Sequence, residues 1–326
     1  MPESTQTIGN YEYLGTLEKP EAGVTYKVRN RATGELEALR WLPGASDSDP
    51  ECLERFRREI RIHTRLSHPN IVAFHDAVNL DGQLVMTMEF VEGTTMAELC
   101  RRGPIPIEQA VRSVCDVLSG LEEAHALGIV HRGITAEHVM VTRDGTVKLG
   151  GFGLAKPATD VNLTKVGAAV GNVRYMSPEQ VTGVAALDCR ADLYSVGVLL
   201  FYALTGRLPF DSANDFDIMV AQVSTPPPRP SSLNSGISPE LERIILTALA
   251  KKPDERFPSA RAFRSALGTL TSAVTGTVKP VIPPPETAVP QFLAQAAPDE
   301  LNRTLYISGI LCVVIALIVV FLVAVH

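Results

Sequence analysis

The sequence has few cysteines, and none of them is placed for a disulfide framework or a metal site. Five cysteines (Cys52, Cys100, Cys115, Cys189 and Cys312) are scattered through 326 residues. No two of them form a Cys-x-x-Cys pair, and no histidine stands near them at metal-ligand spacing. This pattern argues against disulfide-stapled and zinc-binding classes and fits a reducing compartment.

The sequence also lacks an excess of positive charge and an apolar leader. Lysine and arginine number 30 against 36 acidic residues, so the formal net charge is -6, and the isoelectric point lies near 5.7. Because no basic stripe is available to neutralise phosphates, no nucleic-acid partner is expected. The first thirty residues carry charges throughout, so no secretory signal peptide is expected either.

One long apolar run stands near the last residue of the chain. Residues 304–325 contain no charged side chain and consist mostly of Leu, Ile, Val, Ala and Phe. A helix of ~20 residues crosses the ~30 Å hydrocarbon core of a bilayer, and buried helices of soluble domains rarely run so long without a polar face. We expect a single membrane-spanning helix at 304–325 that anchors the chain by its C-terminal end, with the folded part on the cytoplasmic side.

A proline-rich linker is predicted at residues 271–303, between this span and the folded part at 11–270; residues 1–10 are predicted to form an N-terminal tail. The prolines preclude a continuous helix and favour extended segments. They are Pro280, Pro283, Pro284, Pro285, Pro290 and Pro298. A spacer is favoured over a proline-motif ligand.

The most informative stretch is residues 129–153. Asp144 and Gly145 separate two β-branched runs, which predicts a tight hairpin. Ahead of the hairpin the sequence reads HRGITAEHV from residue 131, and behind it GGFG from residue 150.

These motifs resemble the catalytic loop and the metal-binding loop of protein kinases, H-R-D-x-K-x-x-N followed by D-F-G. Further stretches resemble the bacterial-type serine/threonine kinases in the family's own order, among them LVMTMEFVEG from residue 84 and YMSPEQ from residue 175. The resemblance covers about residues 10–268. It implies an α+β, two-lobed fold, with a small antiparallel β-sheet lobe and one helix at 11–91 and a larger, mostly helical lobe at 92–270.

The residues at the family's catalytic positions differ in this chain. The loop aspartate of the family falls on Gly133, the loop lysine on Thr135 and the loop asparagine on His138. The D-F-G aspartate falls on Gly151, and the lysine of the third strand falls on Arg40. Glycine offers no ligand oxygen, so no metal site is expected. The chain therefore resembles a degenerate family member, a pseudokinase, in which phosphotransfer is lost.

The residues that the family uses as a structural frame are retained, and the resemblance gives them roles. It pairs Arg40 with Glu59 and Glu179 with Arg256, places His131 and Phe152 in the hydrophobic column between the lobes, and lets Asp192 hold the loop backbone. The frame positions are Glu59, His131, Phe152, Glu179, Asp192 and Arg256.

The resemblance also implies an adenine pocket, although the phosphate loop departs from the family. The pocket positions are Thr25, Ala38, Met88, Glu89, Val91 and Met140. Gly15 and Gly23 are eight residues apart, whereas G-x-G-x-x-G needs closer glycines for the backbone to approach phosphates. The family's threonine before the substrate-binding turn is also replaced, by Asn172.

Three functions remain open from the sequence. The first is a membrane-anchored pseudokinase that acts as a scaffold or regulator and binds other signalling proteins, for example an active kinase or its substrate. The second is a divergent serine/threonine kinase that uses ATP with relocated catalytic residues. The third is a non-catalytic nucleotide sensor. No cofactor is expected for the first function, and the third would bind ATP without Mg²⁺.

Overall fold

The computed structural model describes residues 7–18, 24–41, 50–80, 83–157 and 172–271. The predicted membrane span at 304–325 and the predicted linker after Thr271 lie outside these ranges, so both stay predictions. Among the helices in the described ranges, none is long and apolar enough to cross a membrane.

In the described ranges, strands predominate in the first part of the chain and helices in the second part. The strands are β1 (Thr7–Ile8), β2 (Tyr11–Glu18), β3 (Val24–Asn30), β4 (Leu36–Trp41), β5 (Phe74–Leu80), β6 (Gln83–Glu89), β7 (Gly93–Thr95), β8 (Ile129–Val130), β9 (Val139–Thr142), β10 (Val147–Leu149) and β11 (Lys156–Pro157). The α-helices are α1 (Pro50–His63), α2 (Met96–Arg101), α3 (Ile107–Ala126), α4 (Pro178–Val181), α5 (Cys189–Thr205), α6 (Asp215–Ser224), α7 (Pro230–Leu233), α8 (Pro239–Ala248) and α9 (Ala260–Thr271).

The small lobe is built on an antiparallel sheet, which in the described residues has six strands in the order β1-β2-β3-β4-β6-β5. Residues paired across neighbouring strands share a face, as do alternate residues along a strand. Two such rows are Thr25–Arg40–Met86 and Lys27–Ala38–Met88. Thr25, Ala38 and Met88 therefore share one face with Arg40, whereas Glu89 of β6 pairs with Glu37 and lies on the opposite face.

The strand β1 lies within residues 1–10, where an N-terminal tail is predicted. Thr7 and Ile8 pair with Glu12 and Tyr11 of β2 at the edge of the sheet. Gly9 has φ +56, a value that lets the chain reverse between the two strands. Two residues are too few to show a periodic pattern, so this strand is defined only by its pairing partner.

The large lobe is organised around α3 and α5. Helix α3 carries apolar residues at helical spacing and ends just before Gly128, whose φ is +72. Helix α5 is buried on nearly all sides, which is typical of a central helix. Helices α3, α8 and α9 pack against it. The hairpin predicted around Asp144 and Gly145 is β9–β10.

A buried ion pair joins two distant parts of the large lobe. Nη1 and Nη2 of Arg256 donate to the two carboxylate oxygens of Glu179 at 2.6 and 2.7 Å. The guanidinium also donates to the carbonyls of Arg190, Ala250 and Lys251, and its side chain is fully buried. All five N–H donors of the guanidinium are used. The side chain therefore fixes α4 and the start of α5 against the loop before α9.

We expect Arg256→Ala to lower the free energy of unfolding by about 3–5 kcal/mol, because it leaves the carboxylate of Glu179 and three carbonyls without their donor. The matched control is Arg143→Ala, since Arg143 pairs with Glu92 on the surface, with 69% and 66% of the two side chains exposed. That change should cost less than about 1 kcal/mol. Urea unfolding of the two variants measures the difference, and equal costs would contradict the role given to Arg256.

Candidate functional site

The loop that carries the HRG motif is held in shape by Asp192. Oδ1 of Asp192 accepts the amide of Arg132 at 2.8 Å, and Oδ2 accepts the amide of His131 at 2.9 Å and Nε2 of His125 at 2.8 Å. Arg132 has φ +63, which is uncommon for a residue other than glycine. Burial favours a higher pKa for Asp192, but the contacts with His125, His131 and the amide of Arg132 together outweigh it and the pKa is lowered. The ionised carboxylate therefore fixes the turn.

His131 is neutral and fixed in one tautomer by two backbone groups. Nε2 donates to the carbonyl of Gly150 at 2.9 Å, and Nδ1 accepts the amide of Gly133 at 3.2 Å. Burial lowers the pKa of His131 to about 4, although the charge of Asp192 opposes the shift. The ring thus ties the loop at 131–133 to the GGFG segment.

A column of three rings joins the lobes. The ring centroids of His131 and Phe152 are 4.4 Å apart, and those of Phe152 and His63 are 5.4 Å apart with an edge-on arrangement. All three side chains are buried. Burial also lowers the pKa of His63 to about 4. Sequence reasoning missed His63 as a member of this column; the signal was a histidine within the apolar stripe of α1.

The strand cation and the helix carboxylate form an ion pair across the small lobe. Nη1 of Arg40 donates to Oε1 of Glu59 at 2.7 Å, and only 4% of the Glu59 side chain is exposed. Burial raises the pKa of Glu59 against the opposing charge of Arg40. The Nε group of Arg40 is buried without a hydrogen-bond partner.

His138 fills the space in which a side chain at position 151 would lie. Its Nδ1 donates to the carbonyl of Gly133 at 2.6 Å. A Cβ atom added to Gly151 would stand 2.5 Å from Cγ and 2.6 Å from Cδ2 of that imidazole, well inside van der Waals contact. Gly151 also has φ +79. The two replacements are therefore one structural unit, because the ring at 138 requires the absence of a side chain at 151.

Three other acidic residues lie near the site, and two of them are engaged by neighbouring side chains. Asp144 accepts hydrogen bonds within the hairpin from Thr142 and Thr146. Glu89 accepts a hydrogen bond from Nζ of Lys148 at 2.8 Å and forms an ion pair with it. The third, Glu137, is exposed. Across the described ranges, no group of three or more histidine, cysteine or acidic side chains could hold a metal ion.

A small pocket opens beside the loop, where the replaced positions carry short side chains. Gly133, Thr135 and Asn172 line it. Gln180 closes one side and donates from Nε2 to the carbonyl of Arg132 at 2.9 Å. Sequence reasoning did not identify Gln180 or His125 as supports of this loop, since neither lies in the HRGITAEHV stretch; Gln180 ends the YMSPEQ stretch.

The candidate adenine-pocket residues differ in their burial. Thr25, Ala38 and Val91 are buried. Met88 and Met140 are half-buried. Met140 lies on β9, opposite Lys148 of β10.

The protein kinase domain model matches residues 11–266 of this chain. The chain belongs to the protein kinase family. Three similar proteins are all named serine/threonine-protein kinases: PknH of Mycobacterium tuberculosis (32% identical over 254 residues, covering 78% of this chain and 40% of the relative), PksC of Streptomyces coelicolor (37% over 246 residues, 72% and 44%) and Pkn3 of Myxococcus xanthus (38% over 283 residues, 82% and 52%). The chain thus spans about half or less of the length of these kinases.

A crystal structure of the PknI kinase domain of Mycobacterium tuberculosis is similar as well. It aligns with a TM-score of 0.63 and 27% identity, and the alignment covers 83% of this chain and 99% of that domain. The predicted two-lobed kinase fold and the resemblance to bacterial serine/threonine kinases are confirmed. The loss of activity stays a prediction.

Kinases hold Mg²⁺ through the loop asparagine and the D-F-G aspartate, and the residues of this chain do not fit that ion. Position 151 has no side-chain oxygen, and the ring of His138 occupies the volume that an aspartate there would need. The Nδ1 atom of that ring already bonds to Gly133. Mg²⁺ requires oxygen ligands in near-octahedral geometry, which these two positions do not supply.

Acidification from pH 7 to 5 should destabilise the fold through His63 and His131. Their pKa values of about 4 lie below the ordinary 6.5, so the unfolded chain takes up protons first. The stabilisation is full above pH 6.5 and is lost as the pH falls towards 4. We expect about 2 kcal/mol from each histidine between pH 7 and 5. His63→Phe keeps a ring against Phe152 and should reduce the loss by that amount in urea unfolding; an unchanged pH dependence would contradict it.

Gly151→Asp should destabilise the protein by about 1–3 kcal/mol, because the new side chain meets the imidazole of His138. In the double variant Gly151→Asp/His138→Asn the shorter amide makes room, so most of this cost should disappear. The control for backbone strain is Gly183→Asp, since Gly183 has φ +70 and nothing within 4 Å of an added Cβ. A double-mutant cycle by urea unfolding measures the coupling, and additive effects would show that the two positions are independent.

Proposed function

We propose that this chain is a catalytically inactive member of the kinase family that acts as a membrane-anchored binding and scaffold module in signalling. The observation that carries the proposal is the packing of His138 against Gly151. The position that supplies the metal ligand in active kinases is both without an oxygen and sterically closed. Gly133, at the position of the loop aspartate, likewise has no group that could orient a hydroxyl.

The retained frame supports a role that depends on shape. The Arg40–Glu59 pair is formed, the ring column is continuous, and Asp192 holds the loop. Buried ion pairs and left-handed backbone are costly to maintain. These costly features are kept although the metal ligands of the family are replaced. This favours the view that selection has acted on the folded surface rather than on catalytic turnover.

The partners we propose are other signalling proteins, in particular an active kinase or that kinase's substrate. The support is the family membership and the names of the relatives as serine/threonine-protein kinases. The apolar run at 304–325 supports anchoring in a membrane, with the kinase-like domain on the cytoplasmic side.

A second candidate is a divergent kinase with relocated catalytic residues. Arg40 keeps a positive charge at the position of the strand lysine and pairs with Glu59 at 2.7 Å, as an active site of this family requires. The names of the relatives are equally consistent with this function. Phosphotransfer measured directly distinguishes the two candidates.

We expect no transfer of radiolabelled phosphate from ATP to the chain itself or to generic protein substrates, with Mg²⁺ or Mn²⁺ present, above that of heat-denatured protein. A general base alone contributes ~10²–10⁴-fold, and metal and charge contacts add further factors. An active bacterial serine/threonine kinase in the same buffers is the positive control. Turnover that is abolished by Arg40→Ala or by His138→Ala would overturn the proposal in favour of the divergent kinase.

A further inference from the structure

The cleft of this chain lacks two carboxylates of the family, one at the loop-aspartate position 133 and one at the metal-binding position 151. An aspartate at either position would repel the phosphates of a nucleotide, and a cation is needed between the two like charges. Gly133 and Gly151 remove that repulsion, and Gly151 also removes a metal ligand.

Two acidic side chains near the cleft are paired with cations. Glu59 is paired with Arg40, and Glu89 is paired with Lys148. The charges of these two carboxylates are therefore offset within the protein itself.

Cationic groups remain on the cleft face. Arg40 and Lys27 share the sheet face that carries Ala38 and Met88. The ammonium of Lys27 lies 4.2 Å from the centroid of the Phe90 ring, close to the strand end at Glu89. This face therefore carries a net positive charge. In an active kinase the corresponding charge is negative, and a metal ion is needed to offset it.

Arg40 has donors to spare for a phosphate. Nη1 is used by Glu59, whereas Nε is buried without a partner. A guanidinium carries five N–H donors in a planar fork that suits phosphate oxygens. An arginine at this position can therefore keep Glu59 and still donate to an anion.

We propose that the cleft binds adenine nucleotides as the metal-free anion, with Arg40 contacting the phosphates, and that Mg²⁺ weakens this binding. The apolar side chains of Ala38, Val91 and Met140 provide the surface for the purine. Mg²⁺ acts against binding because it lowers the charge of the nucleotide and finds no protein carboxylate in exchange. The inference rests on the proposed function, since it takes the loss of the metal site as given.

The test is isothermal titration of the full chain with ATP, once in EDTA and once with excess Mg²⁺. We expect ATP to bind at least about tenfold more tightly in EDTA, and Arg40→Ala to remove at least about tenfold of that affinity. Adenosine, which has no phosphates, should bind equally in both buffers and to both proteins. Unchanged adenosine binding also shows that Arg40→Ala remains folded.

Two further variants sharpen the result. Arg143→Ala removes an exposed arginine that pairs with Glu92 on the surface, and this variant should bind ATP like the parent chain. Gly151→Asp/His138→Asn returns a carboxylate to the cleft, so it should bind ATP more weakly in EDTA and lose the penalty of added Mg²⁺.

Either of two results overturns the inference: ATP binding that requires Mg²⁺, or no binding of millimolar ATP in EDTA. Both leave the proposed function standing, because a scaffold needs no nucleotide. Phosphate transfer in the radiolabel assay would instead overturn the proposed function itself.

Discussion

The carboxylate of Asp192 is the constraint on which the candidate site depends. By accepting two successive backbone amides and one imidazole, it holds Arg132 in a left-handed conformation and aims the ring of His131 at Phe152. That ring contacts His63 at the end of α1, and the same helix carries Glu59. One buried charge in the large lobe thus sets the position of the helix in the small lobe, through rings in direct contact.

The sequence predicted well those parts of the structure in which a residue, at its position, has only one structural role that it can fill. The Glu179–Arg256 and Arg40–Glu59 pairs join charges that could not be buried alone, and the Asp144-Gly145 turn has few alternatives between two β-branched runs. The order of these motifs along the chain was enough for the fold.

The parts that sequence missed depend on contacts made in three dimensions. His125 and Gln180 support the loop and His63 extends the ring column, from three different elements, and each is ordinary in its local sequence. Strand β1 forms only by pairing with the edge of β2. The sequence also presented the replacements at 138 and 151 as two separate losses, whereas the structure joins them through complementary volumes.

The fit between His138 and Gly151 has a consequence for the history of the chain. A substitution that returned aspartate to 151 would meet an imidazole, and one that returned asparagine to 138 would gain no metal ligand at its neighbour. Neither step restores the family's residue pair until the other has been taken, so no single mutation leads back from this pair to the family's pair. The packing of one ring against one α-carbon therefore makes the two replacements hard to reverse one at a time.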